Sequence, residues 1–126
     1  MGYVHAAITL KNPRLAALSE IETEALVDTG ALMLCIPEHI VLQLQLESAA
    51  TREVTTADGK HHQVPYAGPV EVRFENRNCF TGALVFGDEV LLGALPMEDM
   101  DLVVLPAERR VAVNPASPNL PHALVK

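Results

Sequence analysis

A chain of 126 residues, 49% hydrophobic and 20% charged, has the length of one ordinary domain and enough apolar side chains for one core. This argues against both a multidomain enzyme and a disordered chain. Nine Lys and Arg against sixteen Asp and Glu leave a net charge of -7, which repels phosphate backbones, so nucleic acid is not an expected partner. No apolar stretch reaches the roughly 20 residues of a membrane helix, and the first residues lack a secretory signal pattern, so a cytoplasmic protein with no membrane association is expected.

In chain order, Tyr3 to Leu10 is β-compatible and Lys11-Asn12-Pro13-Arg14 breaks it with turn chemistry, predicting a first hairpin. In the returning strand Glu20, Glu22 and Glu24 alternate with Ile21, Thr23 and Ala25, the period-two pattern of one wet face. This strand ends at Asp28-Thr29-Gly30. Ala31 to Ile36, apolar throughout, predicts a short strand buried on both faces. Pro37 then opens a short amphipathic helix to about Leu46.

Arg52 to Thr56 and His61 to Tyr66 read as strands joined by Ala57-Asp58-Gly59-Lys60, a turn whose Asp-Gly pair is a strong hairpin signal. Val70, Val72 and Phe74 mark a half-exposed strand, Glu75 to Asn78 a turn, and Phe80 to Phe86 the next strand. After Val90-Leu91-Leu92-Gly93, the segment Ala94 to Met100 predicts a second short helix. Leu102 to Leu105 and Arg110 to Val113 form a last hairpin. The tail beyond Asn114 carries Pro115, Pro118 and Pro121, which exclude a regular central strand and predict an extended or mobile segment. The sum is a mainly β domain, a compact and partly closed barrel with two short helices.

Cys35 and Cys79 lie far apart with no Cys-x-x-Cys or His-x-x-x-His companion, so they read as buried small hydrophobes instead of a disulfide or zinc framework. His61-His62 lacks two further ligands and reads as an exposed strand pair. The acids Asp88, Glu89, Glu98, Asp99 and Asp101 lack calcium-loop spacing and read as solvated surface. No Ser lies in a Gly-x-Ser-x-Gly setting, which argues against a serine hydrolase. No metal or cofactor is expected.

One segment carries chemistry. In Ala25-Leu26-Val27-Asp28-Thr29-Gly30-Ala31 an acid stands at the end of an apolar strand, where a carboxylate needs hydrogen bonds or a proton-sharing partner. Taken alone, Asp28-Thr29-Gly30 is also an ordinary turn. Three features in order extend the pattern: Asp28-Thr29-Gly30-Ala31 followed by Ile36-Pro37, the hairpin Thr56-Ala57-Asp58-Gly59, and Leu91-Leu92-Gly93 leading into a helix and a final strand. With these the sequence resembles the retropepsin-like aspartic proteases, single-domain relatives of the retroviral proteases, over roughly residues 3 to 114.

The resemblance implies an acid-protease β-barrel with one lobe per chain, formed by residues 1–114 and followed by a proline-rich tail at 115–126. It implies hydrolysis of peptide or unfolded-protein substrates by water held between two aspartates that share one proton, an effect for which aspartic proteases are themselves the standard illustration. A chain with one such aspartate builds the pair only as a twofold homodimer in which Asp28 meets its copy.

In that reading Thr29, Gly30 and Ala31 support the catalytic loop. Ala57, Asp58, Gly59 and Lys60 form the tip of a flap over the substrate, and Leu92 and Gly93 form a second supporting loop. The sequence departs from viral members after Gly93, where Ala94 and Leu95 stand in place of an Arg. The alternative is a catalytically silent peptide-binding or scaffolding module on the same barrel. A β-barrel carrying an apolar ligand is a third reading, which calls for a sizeable interior cavity.

Overall fold

The computed structural model describes residues 3–126. β1 (Val4–Lys11) buries Ala6, Ile8 and Leu10 and leaves His5 and Ala7 exposed, so its alternation is that of a barrel wall. It pairs antiparallel with β2 (Ile21–Val27), from Val4 opposite Val27 to Leu10 opposite Ile21. Glu22 and Glu24 face outward on β2 and Ala25 is buried.

The apolar run after Gly30 gives only a three-residue strand, β3 (Leu34–Ile36). Ala31 to Met33 is loop, and Leu32 is 61% exposed, so the expectation of a doubly buried strand over residues 31–36 holds only for its second half. The reason is pairing. Leu34 to Ile36 pair in parallel with β6 (Arg77–Val85), and Cys35 also pairs antiparallel with β7 (Val90–Leu92) on the other side.

Helix α1 (Glu38–Gln43) follows Pro37 and is shorter than expected. Gln45 adopts a positive φ of 53°, which turns the chain out of the helix before Leu46. Asn12 is buried and donates its side-chain amide to the carbonyls of Leu44 (2.9 Å) and Gln45 (3.3 Å). The turn after β1 thereby satisfies the end of α1.

β4 (Glu47–Thr55) and β5 (His61–Phe74) form the long hairpin. The sequence divides β5 into two strands, whereas the backbone runs through as one bent strand. Its pairing with β6 is irregular between Ala67 and Val70, where Gly68 has φ 152° and precedes Pro69. Proline is tolerated there because a bulge removes the demand for a ladder hydrogen bond.

The order β1-β2-β7-β3-β6-β5 closes on itself, since Thr9 to Lys11 of β1 pair with Glu71 to Arg73 of β5. The result is a closed six-stranded barrel with two short helices. Leu10, Leu34, Ile36, Val70, Val72 and Leu92 are among its fully buried side chains. β4 stands outside the ring as an extension of β5. Helix α2 (Ala94–Asp99) buries Pro96 and Met97. β8 (Leu102–Leu105) and β9 (Arg110–Val113) form a separate two-stranded sheet whose Leu102 and Val111 are buried in the common core.

The segment after β9 is tied to the body. Arg77, only 2% exposed, donates to the Ser117 carbonyl and lies 3.8 Å from Asp101. The Asp101 carboxylate accepts from the Ser117 hydroxyl, the Asn114 amide (3.0 Å) and the His122 backbone N–H (2.9 Å). These three donors, chiefly the Ser117 hydroxyl, and then the Arg77 charge hold its pKa down at about 2. Residues 114–122 are therefore not the free extension that three prolines predict. Among the described residues, no helix is long and apolar enough to cross a membrane.

Candidate functional site

Asp28 follows β2 directly. Its backbone N–H donates to the Leu92 carbonyl at 3.0 Å, which continues the parallel β2–β7 pairing by one residue. Its own carbonyl accepts from the Ala31 N–H (3.1 Å), closing the Asp28-Thr29-Gly30-Ala31 turn. The Gly30 N–H donates to Asp28 Oδ1 at 2.9 Å. A Cβ on Gly30 would stand 3.1 Å from that same oxygen, so the glycine lets backbone and carboxylate approach. Asp28, Thr29 and Gly30 are exposed in the single chain, which removes the desolvation problem expected of an acid within an apolar run.

Gly93 holds the loop from behind. A Cβ there would fall 2.4 Å from the Met33 carbonyl oxygen and 2.7 Å from the Leu32 carbonyl carbon, contacts closer than real Cβ atoms make. Beyond it the N–H groups of Ala94 and Leu95 donate to the Ala31 and Leu32 carbonyls, both at 2.8 Å. The Leu92-Gly93 turn and the Asp28 loop are thus joined backbone to backbone, an arrangement that leaves no room for side-chain adjustment.

The hairpin lies across from this loop. At its tip the Thr56 N–H donates to the Lys60 carbonyl (3.0 Å) and the Gly59 N–H to the Thr56 carbonyl (2.9 Å). Gly59 takes φ 83°, the left-handed conformation that favours glycine. Asp58 accepts from the Thr56 hydroxyl and the Lys60 N–H. The Thr56 bond, then the Lys60 one, lowers its pKa, so Asp58 works as the clasp of the turn.

Between loop and hairpin lies an open cleft of about 680 Å³. Asp28, Gly30 and Ala31 line it from one side and Ala57 from the other, with Leu84, Phe86 and Leu91 among its apolar walls. Of the residues expected on the hairpin, Ala57 borders the cleft, while Asp58, Gly59 and Lys60 form the turn beyond it. Thr29 is exposed on the same turn as Asp28, and Leu92 and Gly93 support from behind without lining the cleft.

Sequence reasoning missed the flank of the hairpin, where Arg52, Val54 and Thr56 contribute to the wall. Glu53 and Thr55 line the cleft as well, so no period marks this flank and only the meeting of hairpin and loop reveals it. Sequence reasoning also missed Phe86, on whose ring His62 packs with centroids 5.3 Å apart.

The donor set limits the chemistry. Asp28 and Glu53 are the carboxylates lining the cleft among the described residues, and Glu53 lies toward His61 on the neighbouring strand (3.9 Å). Cys35 also lines the cleft, half-buried. Burial and then the nearby Asp28 charge push its thiol pKa up, which opposes the thiolate a cysteine nucleophile needs. Cys79, away from the cleft, is pushed up to about 12 by burial. Asp28 is thus an exposed carboxylate on the loop side of a cleft whose walls include Leu84, Phe86 and Leu91. Compared with known proteins, the chain matches no family model and no curated protein.

Proposed function

We propose that the protein is a retropepsin-like aspartic endopeptidase, active as a homodimer in which Asp28 of each subunit holds one half of a shared proton. The observation that carries this reading is Asp28 itself, exposed on a turn braced by Leu92-Gly93, beneath a long hairpin and beside an apolar cleft. Hydrolysis without a nucleophilic side chain needs one group to take a proton from water and another to give one to the carbonyl oxygen. Two carboxyls with one proton do both. An extended peptide between hairpin and loop would be held through its main chain, its apolar side chains against Leu84, Phe86 and Leu91.

Leu32 and Leu95 support the dimer. They are 61% and 47% exposed, are bonded to one another through their backbones, and adjoin the Asp28 turn. Covering the part of each side chain still exposed contributes about 1–1.5 kcal/mol, and an isologous interface would use each of them twice. The exposed Thr29 hydroxyl on the same turn is available to bridge the two loops. A cytoplasmic location belongs to the same reading, since Cys35 and Cys79 are unpaired thiols, at home in a reducing compartment.

The competing module without turnover shares the cleft and differs only in whether two Asp28 carboxyls meet. The ligand-carrying barrel finds less support, because the barrel interior is filled by aliphatic side chains and the cleft lies outside it. The test is cleavage of unfolded protein and apolar peptides between about pH 3 and pH 7, the range in which a carboxyl pair keeps one proton. Wild type is expected to cut, and Asp28→Asn to keep its fold and lose turnover. Equal cleavage by both proteins, or none by dimeric wild type, removes the hydrolytic reading.

A further inference from the structure

Beside the cleft, three neighbouring strands build a stack that ends in a cation. On β6, Gly82 leaves open the space that the Tyr66 ring fills: a Cβ at Gly82 would come within 2.2 Å of Tyr66 Cζ and Oη. On β5, Tyr66 in turn carries the guanidinium of Arg52 from β4, whose central carbon lies 4.0 Å from the ring centroid. Arg52 Nη1 reaches to 3.9 Å from Met33 Sδ on the Asp28 loop, so the side chain spans from hairpin to loop along the cleft wall. Among the described residues no carboxylate forms an ion pair with it. The other charged residues lining the cleft, Asp28 and Glu53, are acids.

We infer that Arg52 is a specificity-determining residue that receives a carboxylate of the bound peptide. This rests on the peptide-binding reading of the cleft. A guanidinium stacked on an aromatic face uses its plane and leaves its N–H edge free, and that edge forms a planar fork that fits a carboxylate with two parallel hydrogen bonds. The Tyr66 stack fixes the fork in advance, so little side-chain freedom is lost on binding. Arg52 is exposed, so a ligand carboxylate reaches the fork directly from solvent, while Leu84, Phe86 and Leu91 line the rest of the cleft. The net charge of -7 disfavours anionic ligands at a distance, so a carboxylate gains here only by contact with Arg52. The carboxylate comes either from an Asp or Glu side chain or from the peptide's own C-terminus.

The test uses amidated apolar peptides carrying Glu, Gln or Lys at scanned positions, together with the Gln set bearing a free C-terminal carboxylate. Binding is read by fluorescence polarisation on Asp28→Asn protein and cleavage by mass spectrometry on protein with Asp28 intact, each with Arg52, Arg52→Gln and Arg52→Glu. At one position Glu is expected to exceed Gln by about tenfold. Arg52→Gln should lose that preference and Arg52→Glu turn it toward Lys. A preference confined to the free C-terminus assigns the carboxylate to the chain end.

Tyr66→Leu should weaken the preference while Arg52 remains. Glu and Gln binding within about twofold at every position, with no advantage for a free C-terminus, overturns the inference, as does a preference that survives Arg52→Gln. Arg52-dependent binding without any cleavage leaves this inference standing and removes hydrolysis. Asp28-dependent cleavage without Arg52 dependence does the reverse, and no binding to any peptide removes both.

Discussion

Gly93→Ala tests whether the two loops form one unit. The Gly93 backbone sits at φ -86°, which any residue adopts, so the cost comes only from the new methyl group. That methyl would meet the Met33 carbonyl oxygen at 2.4 Å and the Met33 nitrogen at 2.7 Å. These are backbone atoms, which cannot swing aside as a side-chain tip can. Overpacking of this kind costs about 1–3 kcal/mol. Moving the Asp28 loop away also weakens the two 2.8 Å bonds from Ala94 and Leu95, each contributing about 1 kcal/mol.

A total loss of about 2–4 kcal/mol follows. With an unfolding entropy of roughly 2.1 cal/mol/K per residue over 126 residues, Tm falls by about 8–15 °C. Urea unfolding, with the midpoint lowered at unchanged slope, is the assay. Gly59→Ala is the control: φ is 83° with open space around the Cβ, so it should lose only about 1–2 kcal/mol of backbone strain. A Gly93→Ala loss below about 0.5 kcal/mol would refute the joined-loop account.

Two further predictions concern other faces of the molecule. On the proposed dimer, Leu95→Glu adds a charge to the exposed apolar pair beside Asp28, so sedimentation should show wild type as dimer and the variant as monomer at the same concentration, with cleavage lost in parallel. A monomeric variant that cleaves normally contradicts the assigned face. Asp101 has its folded pKa lowered to about 2 from an ordinary value of about 3.9. Its hold on residues 114–122 is therefore fully present above about pH 4 and is lost as pH falls toward 2. The His122 amide resonance should titrate with a midpoint near 2; a midpoint near 3.9 means the carboxylate is not held as described.

Much of the barrel was legible because one face of each wall strand is wet. The Glu22 and Glu24 alternation of β2, the Asp58-Gly59 turn and the Val70, Val72, Phe74 series all fix strands by local pattern, and each forms where expected. The errors arise where pairing decides. Ala31 to Met33 is as apolar as Leu34 to Ile36 yet has no strand beside it, so it becomes loop and Leu32 faces solvent. β4 begins at Glu47, five residues before the expected Arg52, because as an outer strand it is exposed on nearly every residue and leaves no hydrophobic period to read. Closure through Thr9 and Arg73 joins residues too distant for any local signal.

The site was legible in part. Asp28, Gly30 and Gly93 stand out through the resemblance to the retropepsin-like proteases, but the cleft wall supplied by Arg52 and Phe86 depends on how hairpin and barrel meet. Tail docking was hidden because its anchor, Arg77, looks like a surface residue until Asp101 and Ser117 surround it.

The central claim, that two Asp28 carboxyls act together, is tested most directly by mixing subunits. Wild type is denatured, refolded with Asp28→Asn in varied ratio at fixed total concentration, and assayed on one peptide. If each active unit needs both aspartates, random pairing leaves about one quarter of the activity in an equal mixture, since only wild-type pairs work. Activity proportional to the wild-type fraction, about one half in that mixture, would mean that each Asp28 acts alone, and the shared-proton mechanism would fall.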